Sequence, residues 1–354
     1  MKETLLHGRR AVEIEDEAIR LTALVEGGHI AEILDKATGM NPLWIPPWPS
    51  IEPSVYSLDK HPEYGTDAES RLLAGIMGHN LCLDYFGGPS AEEFAAGLTV
   101  HGEASIVPYQ YSAVASGWKA MAHLPLAMLQ LERTVQMKGG GAILIREEIE
   151  NLSSMDRPIG WTQHVTLGPP FIEHGATQFA MPVKKSKVYP VRLGPAQVLK
   201  PLAEFDWPMA PADDGTEVDL RVYSSAPSSA LVTGHLVDEE QLHGYFLAWH
   251  PGSRLAIGYM WKRADYPWIA LWDENHSRFN PPWNGNTLTR GVEFGVSPWA
   301  EGRRAMIDRG TLFGVPVYRW IPARSRISAE YVAFVRTMQD MPAALPEDIS
   351  ALLP

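Results

Sequence analysis

Apolar and polar residues alternate with a period of two along most of this chain, which is the spacing of half-buried strands. Val12 and Ile14 alternate with Glu13 and Glu15, and an acidic turn follows. Ile19, Leu21, Ala23 and Val25 then alternate with Arg20 and Thr22, which predicts a hairpin. Gly27-Gly28 and the Asp35-Lys36-Ala37-Thr38-Gly39 turn punctuate the next pair. Leu129, Leu131, Arg133, Val135 and Met137 share one face, Gly139-Gly140-Gly141 turns the chain, and Ile143, Ile145, Glu147 and Ile149 return along a partner. Val218, Leu220 and Val222 repeat the pattern, as does the run from Leu255 to Trp261. Helical candidates are few. Residues 90–96 are one, because Ser90 and Glu93 have the spacing of a capping box, and the tail near 346–353 is the other.

Strands separated by turns, with 30 Gly and 29 Pro in all, predict an all-β fold, a large antiparallel sandwich. The Pro-rich span 42–53 and the segment 200–215 read as surface excursions, since strand pattern continues on both sides of each. One domain covering 1–354 is therefore expected.

Composition narrows the partners. A hydrophobic share of 45% and a charged share of 20% describe a chain that folds. The net charge of −12 argues against nucleic acid and against anionic membranes, which attract basic surfaces. A single cysteine, Cys82, leaves no internal disulfide and fits a reducing compartment. No apolar run approaches the ~20 residues of a membrane span. Arg9-Arg10 is followed by Glu13, Glu15, Asp16 and Glu17 rather than by the apolar segment of an export signal. A soluble cytoplasmic protein acting on a small molecule is expected, with its oligomeric state left open.

The segment from Asn151 to Phe171 carries the most chemistry. It sets His164 beside Trp161, Thr162 and Gln163, so an imidazole, an aromatic face and an amide fall within a few residues. Sugars need that mixture, because a ring C–H face stacks on aromatics while hydroxyls require directional polar partners. His101-Gly102 lies upstream, Trp268 to Asn275 ends an aromatic strand in Asp273, Glu274 and Asn275, and His79, Asn80 and Asp84 stand close together in 78–85. Glu293 alternates with Val292, Phe294 and Val296 and so points to the opposite strand face, into water or into a cavity. No HExxH, CxxC, P-loop or dinucleotide fingerprint occurs, so no metal or nucleotide cofactor is expected. His79, His101 and His164 could nevertheless meet around a metal with Glu103 or Glu293, which keeps a metal-dependent isomerase or lyase as one reading.

From about Ala18 to Val335 the order of motifs resembles the galactose mutarotase-like (aldose 1-epimerase) superfamily. The motifs are the Gly-Gly-His-Ile-Ala-Glu-Ile-Leu stretch, His101-Gly102, Asn151 to His164, Pro-Gly-Ser-Arg at 251–254 and a strand tail at 327–335. The resemblance implies a β-supersandwich whose concave face binds a monosaccharide and interconverts its anomers without metal or covalent intermediate. It implies His101 as the substrate-orienting histidine and His164 as general acid on the ring oxygen. The family's basic glutamate, in Leu-x-Pro-Gly-Glu, is replaced here by Trp320-Ile321-Pro322-Ala323-Arg324, and arginine cannot act as a base at neutral pH. Glu293 is the first alternative base and Glu103 the second. Trp161 and Phe171 would supply apolar surface, and Gln163 and Asp273 would bond hydroxyls, with His79, Asn80 and Asp84 as further sugar contacts. A carbohydrate-binding or sensing protein without turnover is the other reading, made plausible by Arg324.

Overall fold

Two antiparallel sheets pack face to face in the computed structural model, which describes residues 1–342, 344 and 345. The larger has twelve strands. Its centre runs, in spatial order, His79–Asp84, Arg157–Leu167, Leu288–Gly295, Trp268–Asn275 and Ser229–Val237. The N-terminal hairpins Arg9–Glu15, Ile19–Leu24 and Ile30–Asp35 extend it on one side. The second sheet has eight strands and includes Leu129–Gly139, Ala142–Asn151, Arg326–Thr337 and Leu255–Lys262.

The expected hairpins form where the alternation placed them, and Ser90 caps the helix Ala91–Ala95 in a complete capping box with Glu93. The segment 200–215 carries short strands, Glu204–Asp206 and Met209–Pro211, so it is less irregular than its composition suggested. The expected tail helix at 346–353 lies outside the described residues. Among the described residues no helix is long and apolar enough to cross a membrane.

The core fills the space between the sheets, with Leu21, Val165 and Leu271 from one and Val135, Ile145 and Tyr259 from the other. Trp261 stacks on Phe294 across that space with ring centroids 4.0 Å apart. One polar network is buried within it. Glu147 accepts from Arg133 Nε at 2.7 Å, from Trp161 Nε1 at 2.9 Å and from Gln163 Nε2 at 2.6 Å. His79 Nε2 lies 3.0 Å from Gln163 Oε1, and the Tyr259 hydroxyl lies 3.3 Å from His79 Nδ1. This enclosed ion pair is supported by further bonds, with Arg133 Nη1 donating to Gly28 O and the Tyr331 hydroxyl donating to Glu147 Oε1.

Three enclosed histidines are neutral. In His29, Met77 N–H donates to Nδ1 and Nε2 reaches the Ser105 carbonyl, so one ring nitrogen accepts and the other donates. Burial lowers His29, His79 and His235 from the usual 6.5 to about 3 each. Between those values the unfolded chain binds protons that the folded chain does not. Their contribution is therefore complete above about pH 6.5 and is lost as pH falls toward 3. Urea unfolding should show a lower midpoint at pH 5.0 than at pH 7.5, a window above the usual carboxylate titrations. Equal midpoints would mean that these rings are already charged in the fold.

Candidate functional site

Register decides which side chains meet on the outer face of the larger sheet. His164 lies directly opposite Asn80 on one neighbouring strand and Glu293 on the other. Directly paired residues point to the same face, and their strand neighbours point to the other. Asn80, His164 and Glu293 thus form one row across three strands, facing away from the second sheet. Trp272 joins them from the fourth strand, its ring centroid 6.1 Å from that of His164.

His101 comes from a loop. Its φ of +70° is unusual for a residue other than glycine, and the backbone is pinned on both sides: its N–H donates to Gly87 O and its carbonyl accepts from Leu83 N. Gly102 follows at φ +78°, and a Cβ there would fall 2.2 Å from Leu83 O. The close approach that this glycine permits is to the strand His79–Asp84. Held this way, the His101 ring lies 4.7 Å from the His164 ring, centroid to centroid.

Hydrogen bonds assign the protons. Asn80 Nδ2 donates to His101 Nδ1 at 3.2 Å and to Ser105 Oγ at 3.1 Å, and Ser105 Oγ donates to Leu81 O. His101 Nδ1 is thereby an acceptor, which leaves the proton on Nε2. Burial, followed by the neighbouring His164 and His29, pushes the His101 pKa well below 6.5. His164 Nδ1 lies 3.0 Å from Thr166 Oγ1, and its Nε2 lies 3.0 Å from Glu293 Oε1. That contact is close but not aligned as a hydrogen bond, so Glu293 Oε1 stays buried without a hydrogen-bonding partner. Gly291 makes room for it, because a Cβ at 291 would sit 2.3 Å from Oε1.

His101, His164 and Glu293 line a cavity of about 210 Å³. Phe86 packs against both imidazoles, with centroids 6.0 Å from His101 and 6.3 Å from His164. Trp272 and Trp283 form another wall, and the Arg278 guanidinium lies over Trp283 at 4.6 Å while pairing with Glu69 at 3.3 Å. Leu72, Leu73, Ile76 and Val100 complete that side, and Val232 and Leu193 also line the cavity.

Several sequence-based expectations need correction, mostly for one reason. Trp161 and Gln163 flank His164 in the chain and therefore point the opposite way, into the inter-sheet network with Glu147. His79 differs from Asn80 in the same manner and lies in that network too. Asp273 also faces inward, where both carboxylate oxygens accept from Arg290 at 2.7 Å. Phe171 is fully buried in the core. Asp84 lies on the outer face, but its carboxylate is held by Arg157 and by Arg303 at 2.6 and 2.7 Å, leaving it committed to ion pairs. Asn80 supports His101 and does not line the cavity. The second alternative base, Glu103, accepts backbone N–H bonds from Leu126 and Ala127, and burial raises its pKa. Arg324 sits in a turn where its N–H donates to Ser153 O, away from the cavity lining. The sheet separates His79 from His101 and His164, and among the described residues no group of three or more His, Cys, Asp or Glu is arranged to hold a metal ion.

Trp272 and Thr166 were missed although the alternation carried them. Ile269 and Leu271 mark the inward face of 268–275, which turns Trp272 outward and Asp273 inward. Phe86, Trp283 and Arg278 belong to loops, where no periodicity signals orientation.

Solved structures share this architecture. A Klebsiella pneumoniae protein named as a candidate aldose 1-epimerase superposes with a TM-score of 0.65 at 13% identity, covering 94% of this chain and 80% of its own. A galactose mutarotase related enzyme from Lactobacillus acidophilus gives 0.59 at 12% identity, covering 93% and 98%. A galactose mutarotase-like protein from Clostridium acetobutylicum gives 0.59 at 11%, covering 95% and 98%. The chain has the galactose mutarotase-like fold. No protein-family model matches it, and no curated protein matches by sequence.

The proton assignment is open to test through Asn80. An aspartate there offers no N–H, so in Asn80→Asp the His101 proton should move to Nδ1. Long-range proton–nitrogen NMR distinguishes the two tautomers. An Nδ1–H signal already present in the unsubstituted protein would reverse the assignment.

Proposed function

We propose that the protein binds a free monosaccharide and interconverts its anomers, as an aldose 1-epimerase does. The observation that carries this reading is the unbonded, buried Glu293 oxygen beside two imidazoles in a cavity suited to one sugar ring. The fold shared with mutarotase-like proteins supports it, although fold alone does not set function.

Epimerisation needs two proton transfers and no other chemistry. Glu293 takes the proton from the anomeric hydroxyl, O1 and C1 form the carbonyl, and the C1–ring-oxygen bond breaks. His164 gives its Nε2 proton to the ring oxygen as the electron pair arrives there. For this step His164 acts as the imidazolium, its Nδ1–H donating to Thr166 Oγ1 and its Nε2–H facing the ring oxygen, so that transfer leaves a neutral ring. His101, neutral with Nε2–H exposed to the cavity, orients the sugar and polarises the ring oxygen. Rotation about C1–C2 and the reverse transfers close the ring as the other anomer. Glu293 and His164 are within one hydrogen-bond length, so a single proton pair serves both directions. On this reading Glu293 takes the role that Arg324 cannot, and the substrate's apolar ring face rests on Trp272 or Phe86 instead of Trp161 or Phe171.

Proton NMR exchange across a panel of sugars measures the activity directly. His164→Ala and Glu293→Gln should each slow anomer exchange by at least ~100-fold, the low end for a positioned acid or base. An unchanged rate in either variant removes that residue from the mechanism. Sugar affinity by calorimetry without accelerated exchange would favour the binding or sensing alternative.

A further inference from the structure

The cavity is better furnished for the reacting end of a sugar than for the rest of it. Free polar groups converge at one place, on His101, His164 and Glu293. The other polar side chains in the lining each have a protein partner: Arg278 pairs with Glu69 and with Glu274, and the Tyr189 hydroxyl donates to Ala300 O. Elsewhere the walls are aliphatic and aromatic, with Leu72, Leu73, Ile76 and Val100 on one side and Val232 and Leu193 among the rest. An ordinary hexose carries five hydroxyls. The ring oxygen, the anomeric hydroxyl and one neighbour can be met by the three floor groups. Remaining hydroxyls that enter the cavity would give up water for carbon, and a buried hydroxyl with no partner is disfavoured.

We infer that the substrate is a hydroxyl-poor aldose, a 6-deoxyhexose whose methyl group packs against the aliphatic wall. This rests on the epimerase reading and names the substrate class for the same site. A methyl in place of a hydroxymethyl removes one of the unmatched hydroxyls and adds apolar contact, which favours the deoxy sugar without any new polar residue. Val232 is a suitable place to change the balance. It is half-buried on the sheet and faces the cavity, and threonine keeps its shape while replacing one methyl with a hydroxyl.

The test compares matched pairs by NMR anomer exchange: galactose with 6-deoxygalactose, and glucose with 6-deoxyglucose, in both enantiomeric series. For at least one pair, kcat/KM for the deoxy sugar should exceed that of its parent by ~10-fold or more. In Val232→Thr the ratio for that pair should fall toward one. Parents exchanged as fast as their deoxy partners would overturn the inference and leave the epimerase reading standing. A preference unaltered by Val232→Thr would overturn the assignment of selectivity to this wall. If no sugar is exchanged, the epimerase reading fails. Calorimetry on the same pairs then decides: tighter binding of a deoxy sugar supports a hydroxyl-poor ligand, and equal or absent binding overturns it.

Discussion

Cross-strand register leaves His164 no choice of neighbours. Backbone hydrogen bonding places Asn80 on one side of it and Glu293 on the other, and the pleat turns all three to the same face. A slip of one residue in either pairing would send His164 toward the core and present Gln163 or Val165 in its place. The site is therefore as rigid as the centre of a twelve-stranded sheet, while the loops around it only supply walls. His101 is the exception, and its strained backbone is tied to the same sheet through Leu83.

The two faces of these strands do different work with similar residues. Inward, His79, Trp161, Gln163 and Glu147 satisfy one another and have no access to a ligand. Outward, Glu293 keeps an oxygen without a partner. Leaving a buried polar atom unmatched is costly in a folded protein, and a ligand that reaches this one can complete its bonding. The hydrogen-bonded network beneath gives the sheet a fixed shape, and the Glu293 oxygen above it can respond to whatever enters the cavity.

Much of this was legible from residues alone. Alternation predicted both long hairpins, and the spacing of Ser90 and Glu93 predicted a capped helix. Alternation turns Glu293 away from Val292 and Phe294, which is where it lies relative to the core. The same argument, applied to Trp161, Gln163 and Asp273, would have turned them inward. Proximity in the chain is not proximity in space, and in a strand the two conflict. What no one-dimensional pattern carried was the return of loop residues Phe86, Arg278 and Trp283 over the sheet, because loop side chains follow no period. The replaced glutamate motif at Arg324 pointed to a lost base, whereas a carboxylate two strands away from that text faces His164.

A crystal structure with a free aldose bound tests the central claim most directly. A single ring is expected between Trp272 and Phe86, its anomeric oxygen within hydrogen-bond reach of Glu293 and its ring oxygen facing the two imidazoles. A sugar bound elsewhere, or one that turns its anomeric carbon away from Glu293, would contradict it.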